Sequence, residues 1–327
     1  MHRWMDLDQV PPGFGPSVVT IGNFDGVHRG HRSVLTQMVA DARAVGAAAV
    51  AVTFHPHPLQ VHHPERAPEL LTGVADRLGL LAATGLDGVL LQEYTLDFAR
   101  QTPEEFVRRY LVDGLGARTV VVGRDVRFGW RNSGDLRTMT ELGERFGFTV
   151  EVLDDAGAGG DGGRRWSSTW VRELLGRGDV AGAAQILGRP HAVRGVVVHG
   201  DARGRDLGYP TANLGPGITG MVPADGVYAG WMRRVDLPQE LADGILPAAV
   251  SIGTNPTFDG RGRRVEAYVL DRDDLDLYDE EVVLYLVERL RPTVRFDSVT
   301  GLVEQMGRDV DRARELLRRG PGVPGVV

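Results

Sequence analysis

The residue pattern of this chain changes once, near Gly188, and that change constrains the fold more than any other feature. Before it, from Ser17 to about Leu187, short apolar runs alternate with longer stretches whose apolar residues recur at helical spacing. This alternation predicts an α/β domain with a parallel sheet covered by helices, because parallel neighbours need a crossover connection. The predicted strands are 17–21, 48–54, 88–91, 119–122 and 149–153, and the predicted helices are 31–45, 103–115 and 135–146.

After Gly188-Arg189-Pro190, short apolar or alternating runs follow one another, separated by Gly, Pro, Asp and Asn. This pattern predicts an all-β domain, an antiparallel barrel or sandwich, and we favour a small barrel with one terminal helix near 298–319. The predicted strands are 192–198, 227–232, 248–252, 264–270 and 282–287. We therefore predict domains at 1–186 and 187–320, a disordered tail at 321–327 and a surface loop at 156–163.

Composition narrows the chemistry that the two domains can use. The chain has no cysteine, which excludes disulfides, thiolate metal sites and cysteine nucleophiles, and all 37 basic residues are arginine. Without lysine, neither a P-loop of the GxxxxGK[ST] type nor a lysine Schiff base can form. The net charge of −7 argues against nucleic acid as the main partner. No apolar run approaches the roughly 20 residues that cross a bilayer, so we expect a cytoplasmic enzyme with no membrane partner.

Two histidines open the first predicted helix, directly after the first predicted strand. His28 and His31 are three residues apart, so they share a helix face and can contact one ligand. Gly30 lies between them and leaves room for a phosphate to approach the backbone. The helix N-terminus adds free N–H groups and a partial positive charge. The spacing predicts an anion site without lysine, and a structural or metal-binding role for the histidines is the alternative.

A second candidate for phosphate binding is the segment that begins Ser167-Ser168-Thr169 and reaches Arg172. Serine and threonine are good helix N-caps, and here an arginine follows in the next turn. Taken alone, the segment is equally well explained as an ordinary capped helix. A phosphate-binding motif earlier in the same predicted domain favours a second phosphate clamp.

The second domain carries a glycine-punctuated segment from His199 to Asn213. Gly200, Gly204 and Gly208 give a flexible loop that can fold over a nucleotide. Thr211 and Asn213 are two residues apart, so in an extended segment they face the same side. A hydroxyl and an amide oxygen are hard ligands suited to Mg²⁺ and phosphate. Without the surrounding segment, such a pair is more typical of a structural role.

The first-domain motifs HxGH and SSTxxR resemble those of the nucleotidyltransferase superfamily. Together with 53–58 and 122–129, the string at 20–31 is similar to the prokaryotic bifunctional riboflavin kinase/FMN adenylyltransferase (FAD synthetase) family. That resemblance implies a Rossmann-like domain in which the phosphate of FMN attacks the α-phosphorus of Mg·ATP and releases pyrophosphate. The residues implied are His28, His31, Asn23 and Gly30 for the ATP phosphates, Ser168, Thr169 and Arg172 for the leaving pyrophosphate, and Phe54, Asp125 and Phe128 for the flavin.

The segment 199–213 resembles the riboflavin kinase domain of the same family, whose Pro-Thr-Ala-Asn element binds Mg·ATP. The resemblance implies that Glu266 is the general base for the ribityl 5′-hydroxyl of riboflavin. The implied ATP-binding residues are Gly200, Gly204, Arg205, Gly208, Thr211 and Asn213, with Thr211 and Asn213 also at the metal. Two residues depart from the family pattern: Arg272 stands where an aromatic residue is usual, and Asp279 stands where glycine is usual.

Several alternatives stay open at this point. Phe54 and Phe128 are as consistent with core positions as with a flavin pocket. The first domain could adenylylate another phosphorylated small molecule, only one of the two domains could be active, or the protein could bind flavin without turnover. The expected partners are riboflavin, FMN, FAD and ATP, and the sequence leaves the oligomeric state undetermined.

Overall fold

The computed structural model describes residues 1–153, 164–200, 204, 207–254 and 263–319. They pack into two compact units: the first comprises 1–68 and 74–166, and the second comprises 69–73 and the chain from Ser167. The second unit therefore includes two helices that precede the predicted boundary at 186/187, which stays a prediction. The predicted loop at 156–163 and tail at 321–327 lie outside the described residues.

The first unit is built on a parallel sheet, as the sequence predicted. Its six strands follow the order β1-β4-β3-β2-β5-β6, and each neighbouring pair is parallel. The strands are β1 (His2–Trp4), β2 (Ser17–Ile21), β3 (Ala48–His55), β4 (Gly88–Glu93), β5 (Ala117–Val122) and β6 (Thr149–Val152). Strand β1 was not predicted, because three residues are too few to show a period.

Helices cover both faces of this sheet. They are α1 (Arg29–Ala44), α2 (Pro58–His62), α3 (Val74–Ala82), α4 (Pro103–Phe106), which continues as a π-helix (Val107–Gly114), and α5 (Leu136–Phe146). Short 3₁₀ turns lie at Leu7–Gln9, Pro64–Arg66, Phe98–Arg100 and Trp130–Asn132. Successive residues of β3, such as Ala51 and Val52, are fully buried on opposite faces. Burial on both faces explains why the strands appear as continuous apolar runs.

The second unit contains two helices, α6 (Ser168–Gly176) and α7 (Val180–Leu187), followed by a closed barrel. Its strands, in the order β10-β11-β8-β7-β12-β9, pair antiparallel, so the predicted small barrel is confirmed over a sandwich. They are β7 (His191–Val198), β8 (Thr211–Leu214), β9 (Gly226–Arg234), β10 (Ile245–Thr254), β11 (Arg263–Val269) and β12 (Glu281–Arg291). The predicted terminal helix is α8 (Val299–Arg319).

Side chains of the barrel strands alternate between its interior and its outer surface. On β11, Val265 and Ala267 are fully buried, whereas Glu266 and Tyr268 are partly exposed. Helix α8 packs an apolar stripe against the outer surface and is also held by an ion pair. The Arg291 guanidinium on β12 contacts both carboxylate oxygens of Asp309 on α8, at 2.8–3.0 Å. The outer face of β8 and β11 thus carries polar side chains beside a packed helix.

Candidate functional sites

The two predicted histidines meet at the N-terminus of α1. His28 is the N-cap residue, and its Nδ1 accepts a hydrogen bond from the His31 backbone N–H at 3.3 Å. The two imidazole rings stack with centroids 3.7 Å apart. Burial, together with the nearby His28 and Arg165, holds the pKa of His31 well below its usual value, so the ring is neutral at physiological pH.

The histidine pair contains a buried polar atom that the described part of the chain leaves without a hydrogen bond. That atom is Nδ1 of His31. Buried polar atoms are usually satisfied, so an unsatisfied one beside a helix N-terminus is typical of a site that binds a ligand. Gly30, between the two histidines, is buried and places no side chain there.

The loop between β2 and α1 is held in an unusual backbone conformation. Phe24 and Val27 have φ angles of +46° and +38°, in the region that L-residues rarely adopt. Buried Arg77 on α3 donates to the backbone carbonyl of Asn23 at 2.9 Å, and the Thr53 hydroxyl donates to the same oxygen at 3.2 Å. These bonds maintain the strained loop that places Phe24 against the ring of His31, at a centroid distance of 5.4 Å.

One residue of this site, Arg77, was not assigned a role from the sequence. Arg77 is buried although guanidinium groups rarely are, and burial lowers its pKa despite the opposing effect of Asp25. The sequence feature that could have indicated this role is an arginine among the apolar residues of α3. His57 caps α2, and its Nε2 lies 3.2 Å from the side-chain amide nitrogen of Asn23. From the sequence we expect His55 and His57, on either side of one proline, to shape a rigid loop beside the active site, with a metal pair as the alternative.

The segment from Ser167 to Arg172 forms the start of α6. The Ser167 hydroxyl oxygen accepts from the Trp170 backbone N–H at 3.2 Å, so Ser167 is the cap. Ser168 and Thr169 occupy the first turn, and the Arg172 side chain donates to the Glu69 backbone carbonyl at 2.8 Å. The helix packs within the second unit. The predicted role of these residues as a pyrophosphate clamp stays a prediction.

The predicted flavin residues differ in burial. Phe54 is half-buried, and its ring centroid lies 5.8 Å from that of Phe98. Phe128 is buried 6.2 Å from Phe106, which itself lies 6.0 Å from Phe98. The two predicted phenylalanines therefore belong to one continuous layer of aromatic rings. Asp125 is exposed, with a carboxylate oxygen 3.8 Å from Arg165.

In the second unit, strand register brings the predicted kinase residues together. Asn213 on β8 lies directly opposite Glu266 on β11, and Thr211 lies opposite Tyr268. Directly opposed residues of antiparallel strands project from the same face. Thr211, Asn213 and Glu266 therefore share the outer face of the barrel, although Glu266 is more than 50 positions from the other two in sequence.

The glycines of the 199–213 segment occupy positions where a side chain would not fit. A Cβ on Gly200 would lie 2.5 Å from the amide nitrogen of Asn213, and one on Gly204 would collide with the Tyr209 backbone carbonyl. Gly208 has a φ of +84°. Arg205 lies outside the described residues. The absence of side chains at Gly200 and Gly204 lets the segment lie directly against Asn213 and Tyr209.

The structure shows the surroundings of Arg272 and the backbone conformation of Asp279, the two residues that depart from the family pattern. Arg272 forms ion pairs with Asp243 and Asp274, each at 2.6 Å. Asp279 has a φ of +62°, a conformation that glycine adopts without strain. In this chain an aspartate, which tolerates that region better than most residues, takes the position.

Comparison with known proteins agrees with this division of chemistry. A family model described as FAD synthetase matches residues 12–169, and one described as riboflavin kinase matches residues 187–317. A bifunctional riboflavin kinase/FMN adenylyltransferase of Escherichia coli K12 is 37% identical over 300 residues, covering 92% of each chain. Its counterpart in Pseudomonas fluorescens is 36% identical over 311 residues, covering 95% of this chain and 96% of the relative.

A solved structure also matches over nearly the whole chain. It is described as a macrolide-efflux protein from Streptococcus pneumoniae, with a TM-score of 0.81, 30% identity, and coverage of 98% of this chain and 99% of that one. The description as an efflux protein applies to that protein, and the similarity establishes a shared fold. Within the described residues, no helix has the length and apolar character to span a membrane.

The two family models together match most of the chain, each on the unit whose motifs and geometry suit it, and the named relatives match over almost their full length. The order of the two models along the chain is the order of the two sites described above. We conclude that this chain belongs to the bifunctional riboflavin kinase/FMN adenylyltransferase family.

Proposed function

We propose that this chain makes FAD from riboflavin in two ATP-dependent steps. The barrel phosphorylates riboflavin to FMN, and the α/β unit transfers an adenylyl group from a second ATP to FMN. The observation that carries this proposal is the register of β8 and β11, which places Glu266 opposite Asn213. A base beside phosphate-binding side chains is the minimum that transfer to a hydroxyl requires, and a protein that only bound flavin would need neither.

In the kinase step, Glu266 accepts the proton of the ribityl 5′-hydroxyl as that oxygen forms a bond to the γ-phosphorus of ATP. The bond between the γ-phosphorus and the bridging oxygen breaks, and ADP leaves. Thr211 and Asn213 bind the ATP phosphates, and Gly200, Gly204 and Gly208, with Arg205, form the loop that covers the nucleotide.

The residues present fit Mg²⁺ bound together with ATP. Thr211 and Asn213 supply a hydroxyl and an amide oxygen on one face of β8, and these are hard ligands of the kind that Mg²⁺ prefers. Over the described ranges, no group of three or more His, Asp or Glu could hold a metal alone. Mg²⁺ usually takes few protein ligands and binds through substrate phosphates, where it offsets their charge.

In the adenylylation step, the FMN phosphate oxygen forms a bond to the α-phosphorus of ATP, and the bond to the β-phosphate breaks. His28, His31, Asn23 and Gly30 hold the phosphates at the N-terminus of α1, where backbone N–H groups favour anions. Ser168, Thr169 and Arg172 hold the leaving pyrophosphate. Alignment and charge stabilisation account for the catalysis, since the attacking phosphate is already ionised.

Phe54, Asp125 and Phe128 bind the flavin in the adenylyltransferase site. The aromatic layer that contains Phe54 and Phe128 supports this proposal, because isoalloxazine can pack against such rings. A cytoplasmic location, without nucleic-acid or membrane partners, completes the proposal. The net charge of −7 supports the absence of a nucleic-acid partner.

The test is an incubation of the purified protein with riboflavin, ATP and Mg²⁺, followed by chromatographic separation of the flavins over time. The proposal predicts that FMN appears first and FAD follows. FMN without FAD would contradict the adenylyltransferase half, and no new flavin would favour a binding protein. FAD formed from supplied FMN, but no FMN formed from riboflavin, would contradict the kinase half.

A further inference from the structure

A small cavity lies at one end of the barrel, under the segment that connects β11 to β12. Its volume is about 60 Å³. Val197, Ala267 and Leu277 supply apolar walls, and these side chains are otherwise buried inside the barrel. Thr211 and Arg272 line the same cavity. An apolar pocket that opens beside a phosphate-binding threonine can receive the edge of a flat, weakly polar ring.

Arg272 is held rigidly at this cavity. Its Nε and one terminal nitrogen bond Asp274, at 2.6 and 2.9 Å, and the other terminal nitrogen bonds Asp243 at 2.6 Å. Hydrogen bonds lie in the plane of a guanidinium, so those to the two carboxylates fix the orientation of that plane at the cavity. The carboxylates also offset its charge. Arg272 therefore presents a fixed flat surface rather than a free cation.

The residues around Arg272 indicate which ring system can stack on its guanidinium. Thr211, which we assign to ATP, lines the cavity, whereas Glu266, which we assign to riboflavin, does not. Adenine is planar and aromatic, and arginine stacks on such rings. We propose that Arg272, held by Asp243 and Asp274, is the stacking surface for the adenine ring of ATP in the kinase site. This inference rests on the proposed kinase function.

Arg314 provides a matched control. Its guanidinium is also held by two aspartates, Asp271 at 2.7 Å and Asp311 at 2.6 Å, and its side chain is 28% exposed, as is that of Arg272. Through Asp271 it anchors the same connecting segment, but it does not line the cavity. A substitution of Arg314 therefore disturbs the segment without removing the stacking surface.

The experiment measures KM for ATP and KM for riboflavin separately in FMN formation, counting FMN and FAD together as product. Arg272→Ala should raise KM for ATP about tenfold, as expected for the loss of one stacking contact, with KM for riboflavin and kcat within twofold. Arg272→Phe should restore KM for ATP, because a phenyl ring is also a flat surface. Arg314→Ala should leave KM for ATP within twofold. Thermal unfolding checks that each variant is folded.

Three outcomes would overturn the proposal. They are an unchanged KM for ATP in Arg272→Ala, an equal effect in Arg314→Ala, and a failure of Arg272→Phe to restore KM, which would indicate a charge effect. Arg272→Lys retains a charge for both aspartates but lacks the plane, so it should also raise KM for ATP, and it gives the same test if the alanine variant does not fold. A wild-type protein that makes no FMN would instead contradict the proposed function itself.

Discussion

The two candidate sites offer different parts of the protein to a phosphate group. In the α/β unit, the polar groups are the stacked imidazoles of His28 and His31 at the buried start of a helix. In the barrel, they are the side chains of Thr211, Asn213 and Glu266 on the outer face of two strands. The first site presents the N-terminus of a helix, and the second presents side chains whose positions are set by strand register.

Arginine carries the positive side-chain charge in a chain without lysine, and arginines near the two sites contact different kinds of groups. Near the barrel site, arginines are paired with carboxylates that anchor connecting segments and α8, as Arg272, Arg291 and Arg314 are. In the α/β unit, Arg77 bonds to backbone carbonyls and holds the loop before the histidines. These bonds lie within one unit in each case, so a substitution at one site should leave the chemistry of the other intact.

The largest expected effect tests this independence at the barrel. Glu266→Gln keeps the shape of the side chain and removes its basicity, so FMN formation should fall by about 10²–10⁴-fold. FAD formation from supplied FMN should stay within twofold of the wild type. The matched control is Glu288→Gln on β12, whose carboxylate lies 3.9 Å from Arg312 near the surface. A comparable loss in that variant, or a loss of both activities in Glu266→Gln, would contradict the two-site account.

Two ion pairs of helix α8, one largely buried and one exposed, should differ in strength. Asp309→Ala removes one partner of a largely buried ion pair and should destabilise the second unit by about 3–5 kcal/mol. Glu315→Ala on the same helix breaks an exposed pair with Arg319 and should cost no more than about 1 kcal/mol. Urea unfolding monitored by tryptophan fluorescence measures both. Equal losses in the two variants would show that burial does not set the strength of the pair.

A buried histidine of the second unit predicts a dependence on pH. Burial lowers the pKa of His191 to about 4, and its Nε2 bonds the Met221 carbonyl at 2.7 Å. The unfolded chain binds this proton near pH 6.5 and the folded chain only near 4. Stability is therefore full above about 6.5 and falls by about 3 kcal/mol as the pH drops to 4.

His191→Gln keeps a donor for the Met221 carbonyl and does not titrate, so it is the reference for this loss. Urea unfolding at pH 7.5, 6 and 5 should show the difference between wild type and variant narrowing as the pH falls. A constant difference would contradict the assignment, because other groups titrate equally in both proteins.

The smallest expected effect concerns a strained turn beside the kinase site. Asp279→Gly relieves a φ of +62° and should stabilise the second unit by about 0.5–1 kcal/mol. Asp271→Gly is the control, because Asp271 has a similar φ of +61° but its carboxylate bonds Arg314. Thermal unfolding should show a gain only for Asp279→Gly. A gain for both variants would mean that the bond to Arg314 contributes nothing.

The sequence predicted most elements of both units, and the misses have physical causes. Strands β1 and β8 have three and four residues, too few to display a period. Strand β12 extends to Arg291, beyond the predicted end at 287, because register shifts after Leu286 interrupt the alternation on which the prediction depended. Part of the predicted helix at 103–115 is a π-helix, which apolar spacing does not distinguish from an α-helix.

In the candidate sites as well, contacts between residues close in sequence were predictable and contacts between distant residues were not. The spacing of His28 and His31 predicted their shared helix face, because that contact is local. The pairing of Asn213 with Glu266 depends on barrel register, and the hold of Arg77 on the carbonyl of Asn23 depends on tertiary packing. Neither leaves a local pattern, so only the structure could place them.

The two proposed reactions use separate sets of residues. His31→Ala protein, incubated with riboflavin, ATP and Mg²⁺ and analysed by flavin chromatography, tests this separation most directly. We predict that FMN accumulates at the wild-type rate while FAD formation is lost. FAD formed at the wild-type rate, or a well-folded variant that makes neither flavin, would contradict it.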